Sequence, residues 1–249
     1  MKSAAMDMPT YLVDFDGVIC DSRQECLITS HAAYRRAFFG RKEAFAAAAI
    51  APEAGSRFVS NRYLARTARE FALLWDLIDA ARPIDEDEWE QVRSTADEAR
   101  LARFHDVFYS TRYEWMRQDL PGWISTHRFF PEMRAALMKW LAQGRAHIVS
   151  SKDSRSIMAL LEHHGIEIAE SMVGGCEGGD KIEHFRRLRE TNSGELAFID
   201  DNIDNLRTAR GSGIAGCLAS WGYTSDVLIE AARREGFPIL SLAAIERLD

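Results

Sequence analysis

Short apolar runs, separated by stretches with helical spacing, occur near the N-terminus and throughout the last hundred residues of this chain. The runs are rich in Ile, Val, Leu and Phe, and most of them end at polar residues. Short strands that alternate with helices are typical of a parallel sheet covered by helices on both faces. We therefore predict an α/β domain with a central parallel sheet, whose strands span residues 11–15, 146–150, 171–174, 196–200, 215–220 and 238–240.

The region between the first two predicted strands has a different pattern. It is rich in Ala, Arg, Glu and Leu, places apolar residues at helical spacing and contains no clear strand. Two capping boxes, formed by Ser22 with Glu25 and by Asp85 with Glu88, predict helix starts. The pattern therefore predicts an all-helical domain inserted directly after the first strand.

The domain limits follow from this change of pattern. We assign residues 1–20 and 121–249 to the core domain and residues 21–120 to the helical insert. Residues 85–119 predict one or two helices, and residues 44–51, which are mostly Ala, favour a helix. Large aromatic residues recur in the insert at roughly helical spacing, and we interpret them as its core or as a dimer surface. They are Trp75, Trp89, Phe104, Phe108, Tyr109, Tyr113 and Trp115.

Composition and charge narrow the classes of function. The 249 residues are 47% hydrophobic and carry a formal net charge of −7, which argues against a protein that binds nucleic acid by neutralising phosphates. The first ten residues lack the apolar segment of a signal peptide, and no apolar run reaches the roughly 20 residues of a membrane helix. The four cysteines form no CxxC pair. We expect a cytoplasmic protein with reduced thiols that binds neither nucleic acid nor membrane.

Two carboxylates follow the first strand with one residue between them. Asp14 and Asp16 stand in Asp14-Phe-Asp-Gly-Val-Ile-Cys-Asp21, directly after an apolar run. Each carboxylate makes ionisation of the other more costly unless a cation lies close to both. The pair therefore predicts a metal site, and it suggests a phosphate brought in by that metal.

Three later segments place polar residues where strands end or helices begin. Asp200 and Asp201 end one apolar run, and Ser150 ends another, so these side chains should meet at the carboxyl edge of the sheet. Asp14 and Asp200 would supply oxygen ligands suited to Mg²⁺, whereas Asp201 could bind metal, support a ligand or cap a helix. Lys181 lies in a predicted first helical turn, behind an Asp180–Glu183 capping box, where it would attract an anion.

The order Asp-x-Asp-Gly, Ser, Lys and Asp-Asp resembles that of the haloacid dehalogenase superfamily. The resemblance covers about 140 residues and implies a Rossmann-like core of three layers, with the insert resembling the helical C1-type cap of this superfamily. It implies that Asp14 attacks phosphorus, that Asp16 exchanges protons with the leaving group and water, and that Ser150 and Lys181 hold phosphoryl oxygens. Mg²⁺ would be held by the Asp14 and Asp200 carboxylates and by the backbone carbonyl of Asp16.

Two details depart from the family pattern. The last motif reads Ile-Asp-Asp where Gly-Asp is commoner, so the role of Asp201 stays open, and the lysine segment lacks the usual Lys-Pro. Lys152 is therefore a rival to Lys181 as a phosphate contact. In the insert, Arg57 and Arg62 lie in its most loop-like part and are candidates for recognising an anionic substrate, although arginines in surface pairs are commoner.

We expect a Mg²⁺-dependent phosphomonoester hydrolase acting on a small phosphorylated metabolite through an aspartyl-phosphate. The presence of Asp16 favours phosphoryl transfer, because a departing halide needs no proton. The alternatives are a phosphomutase of the same superfamily and a non-catalytic module that binds metal and phosphate. The sequence leaves the oligomeric state open and is compatible with a homodimer.

Overall fold

A computed structural model describes residues 8–177 and 181–248 and shows a mixed α/β protein. The strands are β1 Thr10–Val13, β2 Cys20–Asp21, β3 Arg128–Phe129, β4 Ala146–Ser150, β5 Val173–Gly175, β6 Leu196–Asp200, β7 Ala215–Ala219 and β8 Ile239–Leu240. Six of them form one parallel sheet in the order β5-β4-β1-β6-β7-β8, and β2 pairs with β3. The predicted fold class, an α/β core around a central parallel sheet, is thereby confirmed.

Helices pack against the sheet, and the insert consists of α-helices joined by loops and short 3₁₀ turns. In the described residues no helix is long and apolar enough to cross a membrane. The helices are α1 Arg23–Phe39, α2 Pro52–Ser60, α3 Phe71–Asp79, α4 Glu86–Ser94, α5 Glu98–Gln118, α6 Leu120–Ser125, α7 Pro131–Ala142, α8 Ser154–His163, α9 Ile182–Thr191, α10 Ile203–Gly211, α11 Asp226–Arg234 and α12 Leu242–Ile245.

The chain divides into two compact units. The sheet unit comprises the described residues of Met1–Asp21 and Phe129–Asp249, and the helical unit is Ser22–Arg128. The prediction ended the insert at residue 120, but in the structure the following helix, α6, also belongs to the helical unit. Its Trp123 is fully buried in that unit, and such a tertiary contact leaves no mark on local sequence pattern.

The sheet unit is held together by side chains that alternate between the two faces of β1, as the pleat of a strand requires. On one face Tyr11 stacks on Trp140 of α7, with ring centroids 4.1 Å apart. On the other face Leu12 packs in a buried cluster with Leu206 of α10 and with Phe185 of α9. Both faces of β1 are thus covered by helices, so a residue of this strand can reach a binding site only at the end of the strand.

The helical unit is built around buried aromatic side chains. Phe58 stacks on Trp75 at a centroid distance of 5.1 Å, and Phe104 lies 6.1 Å from Phe108. Of the seven aromatic residues that we interpreted as core or dimer surface, all but Tyr113 are buried. Burial of these rings adds large apolar areas to the core of the helical unit.

Local predictions in the helical unit had mixed outcomes. Asp85 caps α4 as predicted, since its carboxylate accepts a hydrogen bond from Glu88 N at 2.9 Å. Ser22 does precede α1, but its side chain forms no capping hydrogen bond. Glu25 is fully buried and is bound instead by Arg112, whose Nε lies 2.9 Å from Oε1. This partner lies 87 residues away, so a tertiary ion pair has replaced the predicted capping box.

Candidate active site

Three central strands end at one place, and each brings a polar side chain there. Asp14 follows β1, Ser150 ends β4 and Asp200 ends β6, and all three residues are buried. The register of the strands brings these three ends to nearly the same level along the strand direction, because Val13 lies opposite Ile148 of β4 and opposite Ile199 of β6. These are the carboxyl ends of adjacent parallel strands, where ligands of open α/β sheets bind.

Lys181 bridges two of these acids. Its Nζ lies 3.0 Å from Asp14 Oδ1 and 2.6 Å from Asp200 Oδ2. The residue is buried, and it directly precedes α9, so it lies one position before the predicted first turn. The predicted capping partner Asp180 lies outside the described residues. Lys181 therefore contacts two acids of the cluster from the N-cap position of its helix, and its part in holding phosphoryl oxygens stays a prediction.

Burial and charge shift the ionisation of this pair. Burial raises the pKa of Asp14 from its ordinary 3.8 to about 6; Lys181 and a hydrogen bond from Ser150 act to lower it, and Asp200 raises it. For Lys181 burial disfavours the charged form, but the charges of Asp14 and Asp200 outweigh burial and raise its pKa. Ionisation of the Asp14 carboxyl group is thus disfavoured, whereas the charged form of the neighbouring Lys181 ammonium group is favoured.

The acidic cluster has the composition of a divalent cation site. Asp14, Asp200 and Asp201 each place a carboxylate oxygen within 4.8 Å of the others, and all three are buried. Hard oxygen ligands of this kind suit Mg²⁺ or a similar cation. Two lysines contact acids of this region: Lys152 lies beside Asp16, and Lys181 lies beside Asp14 and Asp200.

Asp201 is also part of a packed turn. Its Oδ2 accepts a hydrogen bond from Tyr223 N at 2.5 Å. Gly17 has a φ of +85°, and a Cβ there would lie 2.0 Å from Asp201 Oδ2. At Gly222 a Cβ would lie 2.3 Å from Asp201 Cβ. Asp201 therefore orders the loops after β1 and β7, whereas its part in binding metal stays a prediction.

Asp16 has a different partner from Asp14. Its two carboxylate oxygens each lie 3.3 Å from Lys152 Nζ, and the Lys152 side chain is fully buried. The Asp16 side chain retains 15% of its exposed surface. Lys152, which the sequence offered as a rival phosphate contact, thus lies beside the predicted proton donor, and Lys181 lies beside the predicted nucleophile.

Sequence reasoning missed Asn205. Its Nδ2 donates to Asp200 Oδ2 at 3.0 Å, and the backbone N of Asn202 donates to Asp200 Oδ1 at 2.7 Å. These two hydrogen bonds orient the carboxylate that Lys181 also contacts. The signal was present, because Asn205 follows Asp200 by five residues, and the first turn of α10 carries its side chain back to the strand end.

The two arginines proposed for substrate recognition, Arg57 and Arg62, are bound to backbone carbonyls of the helical unit. Arg57 donates to the carbonyl oxygens of Ile78 and Arg82. Arg62 donates to the carbonyl of Ala65 at 2.6 Å, and its guanidinium lies 4.7 Å from the centre of the Phe71 ring. Their role in recognising a substrate therefore stays a prediction, and the observed contacts give both residues a structural role.

Comparisons with known proteins identify the family. The family model of haloacid dehalogenase-like hydrolases matches residues 8–213. The chain belongs to the haloacid dehalogenase-like hydrolases. The resemblance inferred from the four motifs is thereby confirmed. No match to the chain is found among the curated proteins.

Solved structures share the fold of this hydrolase along nearly its whole length. A predicted phosphoglycolate phosphatase from Haemophilus somnus aligns with a TM-score of 0.60 and 16% identity, covering 96% of this chain and 97% of its own. One from Lactobacillus delbrueckii subsp. bulgaricus aligns with a TM-score of 0.62 and 15% identity, covering 95% of this chain and 96% of its own. A predicted phosphatase from Clostridium acetobutylicum aligns with a TM-score of 0.59 and 13% identity, covering 96% of this chain and 97% of its own. At these identities the likeness shows the fold.

Proposed function

We propose that this hydrolase cleaves phosphomonoesters of small metabolites with Mg²⁺, by way of an aspartyl-phosphate on Asp14. The observation that carries the proposal is the buried Asp14 carboxylate, flanked by Lys181 at 3.0 Å and clustered with two further acids. A carboxylate of this kind is an oxygen nucleophile fixed in place among charges that can hold a phosphoryl group. The names of the structural relatives agree with this class of substrate.

The site can hold the cation that the family uses. Under this proposal the Asp14 and Asp200 carboxylates and the Asp16 carbonyl bind Mg²⁺, which when bound reduces repulsion between the Asp14 carboxylate and the phosphate and stabilises charge on the phosphoryl oxygens. Asp201, within the same 4.8 Å cluster, is either a further ligand or a support for Asp200. Ser150 and Lys181 orient the phosphoryl oxygens by hydrogen bonding and charge.

The chemistry takes two steps. In the first, an Asp14 oxygen forms a bond to phosphorus as the ester oxygen leaves, and Asp16 gives that oxygen its proton. In the second, Asp16 takes a proton from water, the water oxygen bonds to phosphorus, and the bond to Asp14 breaks. Inorganic phosphate and the free alcohol are the products, and both aspartates return to their starting states.

Phosphate release from a panel of phosphorylated metabolites tests the proposal. The panel includes phosphoglycolate, because two structural relatives carry that designation. We expect release with Mg²⁺, none in EDTA, and a loss of about 10³-fold or more in Asp14→Asn. Asp226→Asn, which changes an exposed acid of α11 in the same way, should keep full activity.

Other outcomes assign other functions. An isomerised phosphate ester without free phosphate, seen by phosphorus NMR, would identify a phosphomutase. Binding of Mg²⁺ and phosphate with neither product would identify a non-catalytic module. Release that persists in Asp14→Asn would rule out Asp14 as the nucleophile.

A further inference from the structure

Lys152 places a buried ammonium group against the carboxylate of Asp16. The Lys152 side chain has no exposed surface, and its Nζ lies 3.3 Å from both Asp16 oxygens. A buried lysine is stable as a cation only when an opposite charge lies close to it. This pair joins the loop after β1 to the turn after β4, within the sheet unit.

The turn that carries Lys152 is held by contacts that do not involve Asp16. The backbone N of Lys152 donates to Ser150 Oγ at 3.2 Å, and the Asp153 carboxylate accepts from Ser156 N at 2.8 Å at the start of α8. Gly175 of β5 packs so closely that a Cβ there would lie 2.7 Å from the Lys152 carbonyl oxygen. The backbone of Lys152 is therefore held in place, and its buried side chain keeps the ammonium group beside the Asp16 carboxylate.

The two lysines of the site contact different acids. Lys181 makes short contacts with Asp14 and Asp200, the shorter of them 2.6 Å. Lys152 lies 3.3 Å from Asp16, which is longer than the about 2.7–2.9 Å of a tight charge-assisted hydrogen bond. A contact of this length limits rotation of the carboxylate through charge, without the tight geometry of a short hydrogen bond.

We infer that Lys152 is a positioning residue for the proton-transfer role of Asp16. The inference rests on the proposed phosphatase function and deepens it. Proton transfer requires the carboxylate to lie within hydrogen-bond reach of the leaving oxygen, and a side chain free to rotate spends little time there. Because the ammonium of Lys152 lies 3.3 Å from both carboxylate oxygens, it holds the direction in which the Asp16 carboxylate points.

Leaving groups that differ in their need for a proton test this inference. Benzyl phosphate and 4-nitrophenyl phosphate are similar in shape, but the benzyl alkoxide must be protonated as it leaves, whereas 4-nitrophenolate leaves as a stable anion. In Lys152→Met we expect kcat/KM for benzyl phosphate to fall about 10- to 100-fold, and for 4-nitrophenyl phosphate no more than about threefold. The ratio of the two values in one preparation does not depend on how much of the protein is folded.

Two further variants complete the design. In an Asp16→Asn background, Lys152→Met should change the ratio by less than about twofold, because no proton donor remains to be positioned. Lys139→Met, on the exposed face of α7, should leave both substrates unaffected.

The contrary results are distinct. An equal fall for both substrates in Lys152→Met would show that Lys152 holds the phosphoryl group or the fold, and an unchanged ratio would show that Asp16 needs no positioning; either result overturns the inference. If the unaltered protein released no phosphate from these two esters or from any member of the metabolite panel, the proposed function itself would fail.

Discussion

Replacement of Asp14 by Asn should stabilise the metal-free protein while abolishing its activity. Folding raises the pKa of Asp14 from 3.8 to about 6, so the ionised carboxylate costs the folded state about 3 kcal/mol at neutral pH. Because the folded state holds this proton more tightly than the unfolded chain, the cost accumulates as pH rises from about 4 to about 6 and is constant above that range. Asparagine has the same shape and no charge, and therefore avoids the cost.

Urea unfolding in EDTA measures this effect. We expect Asp14→Asn to exceed the unaltered protein in free energy of unfolding by about 3 kcal/mol at pH 7.5 and by about 1 kcal/mol at pH 4.5. Asp226→Asn serves as the matched control and should change stability by less than about 0.5 kcal/mol at both pH values. If Asp14→Asn lowered the free energy of unfolding at pH 7.5, or changed it equally at both pH values, the claim that folding raises the pKa of Asp14 would be refuted.

Three further predictions follow from the same contacts. Mg²⁺ should raise the unfolding midpoint of the unaltered protein more at pH 7.5 than at pH 5, because protons compete at an Asp14 whose pKa is about 6; an equal rise would place the cation elsewhere. Gly17→Ala should cost about 1–3 kcal/mol of stability, measured by urea unfolding, because Gly17 has a positive φ and its Cβ would strike Asp201; no loss would refute this packing. Arg112→Met should cost about 3–5 kcal/mol by leaving Glu25 buried without its cation, and Glu25→Gln/Arg112→Met should recover most of it; equal losses would argue against the ion pair.

The part of the site that is local in sequence could be predicted. Asp14, Ser150 and Asp200 each follow or end a short apolar run, and parallel strands bring such ends together. The structure places all three at adjacent central strands, with Lys181 between two of the acids. Each of these positions depends on a strand end or a helix start, which hydrophobic pattern and capping residues mark directly.

Contacts between distant segments could not be predicted. Tyr223 binds Asp201 through its backbone N–H, a donor that every residue except proline has, so the identity of the side chain does not predict the contact. Glu25 matched a capping box, but burial beside Arg112 determined its position instead. The Ala-rich residues 44–51 form only a 3₁₀ turn at Ala47–Ala49, because most of them are exposed and offer no apolar face to pack.

Capture of a phosphorylated Asp14 tests the central claim most directly. With 4-nitrophenyl phosphate the leaving group departs readily, so hydrolysis of the intermediate should limit turnover and the phosphorylated protein should accumulate. Acid quenching during turnover, followed by borohydride reduction, converts an aspartyl-phosphate to homoserine. Peptide mass analysis should then find homoserine at position 14 and at no other aspartate. Unmodified Asp14 in a protein that is still releasing phosphate, or homoserine at a different position, would contradict the account.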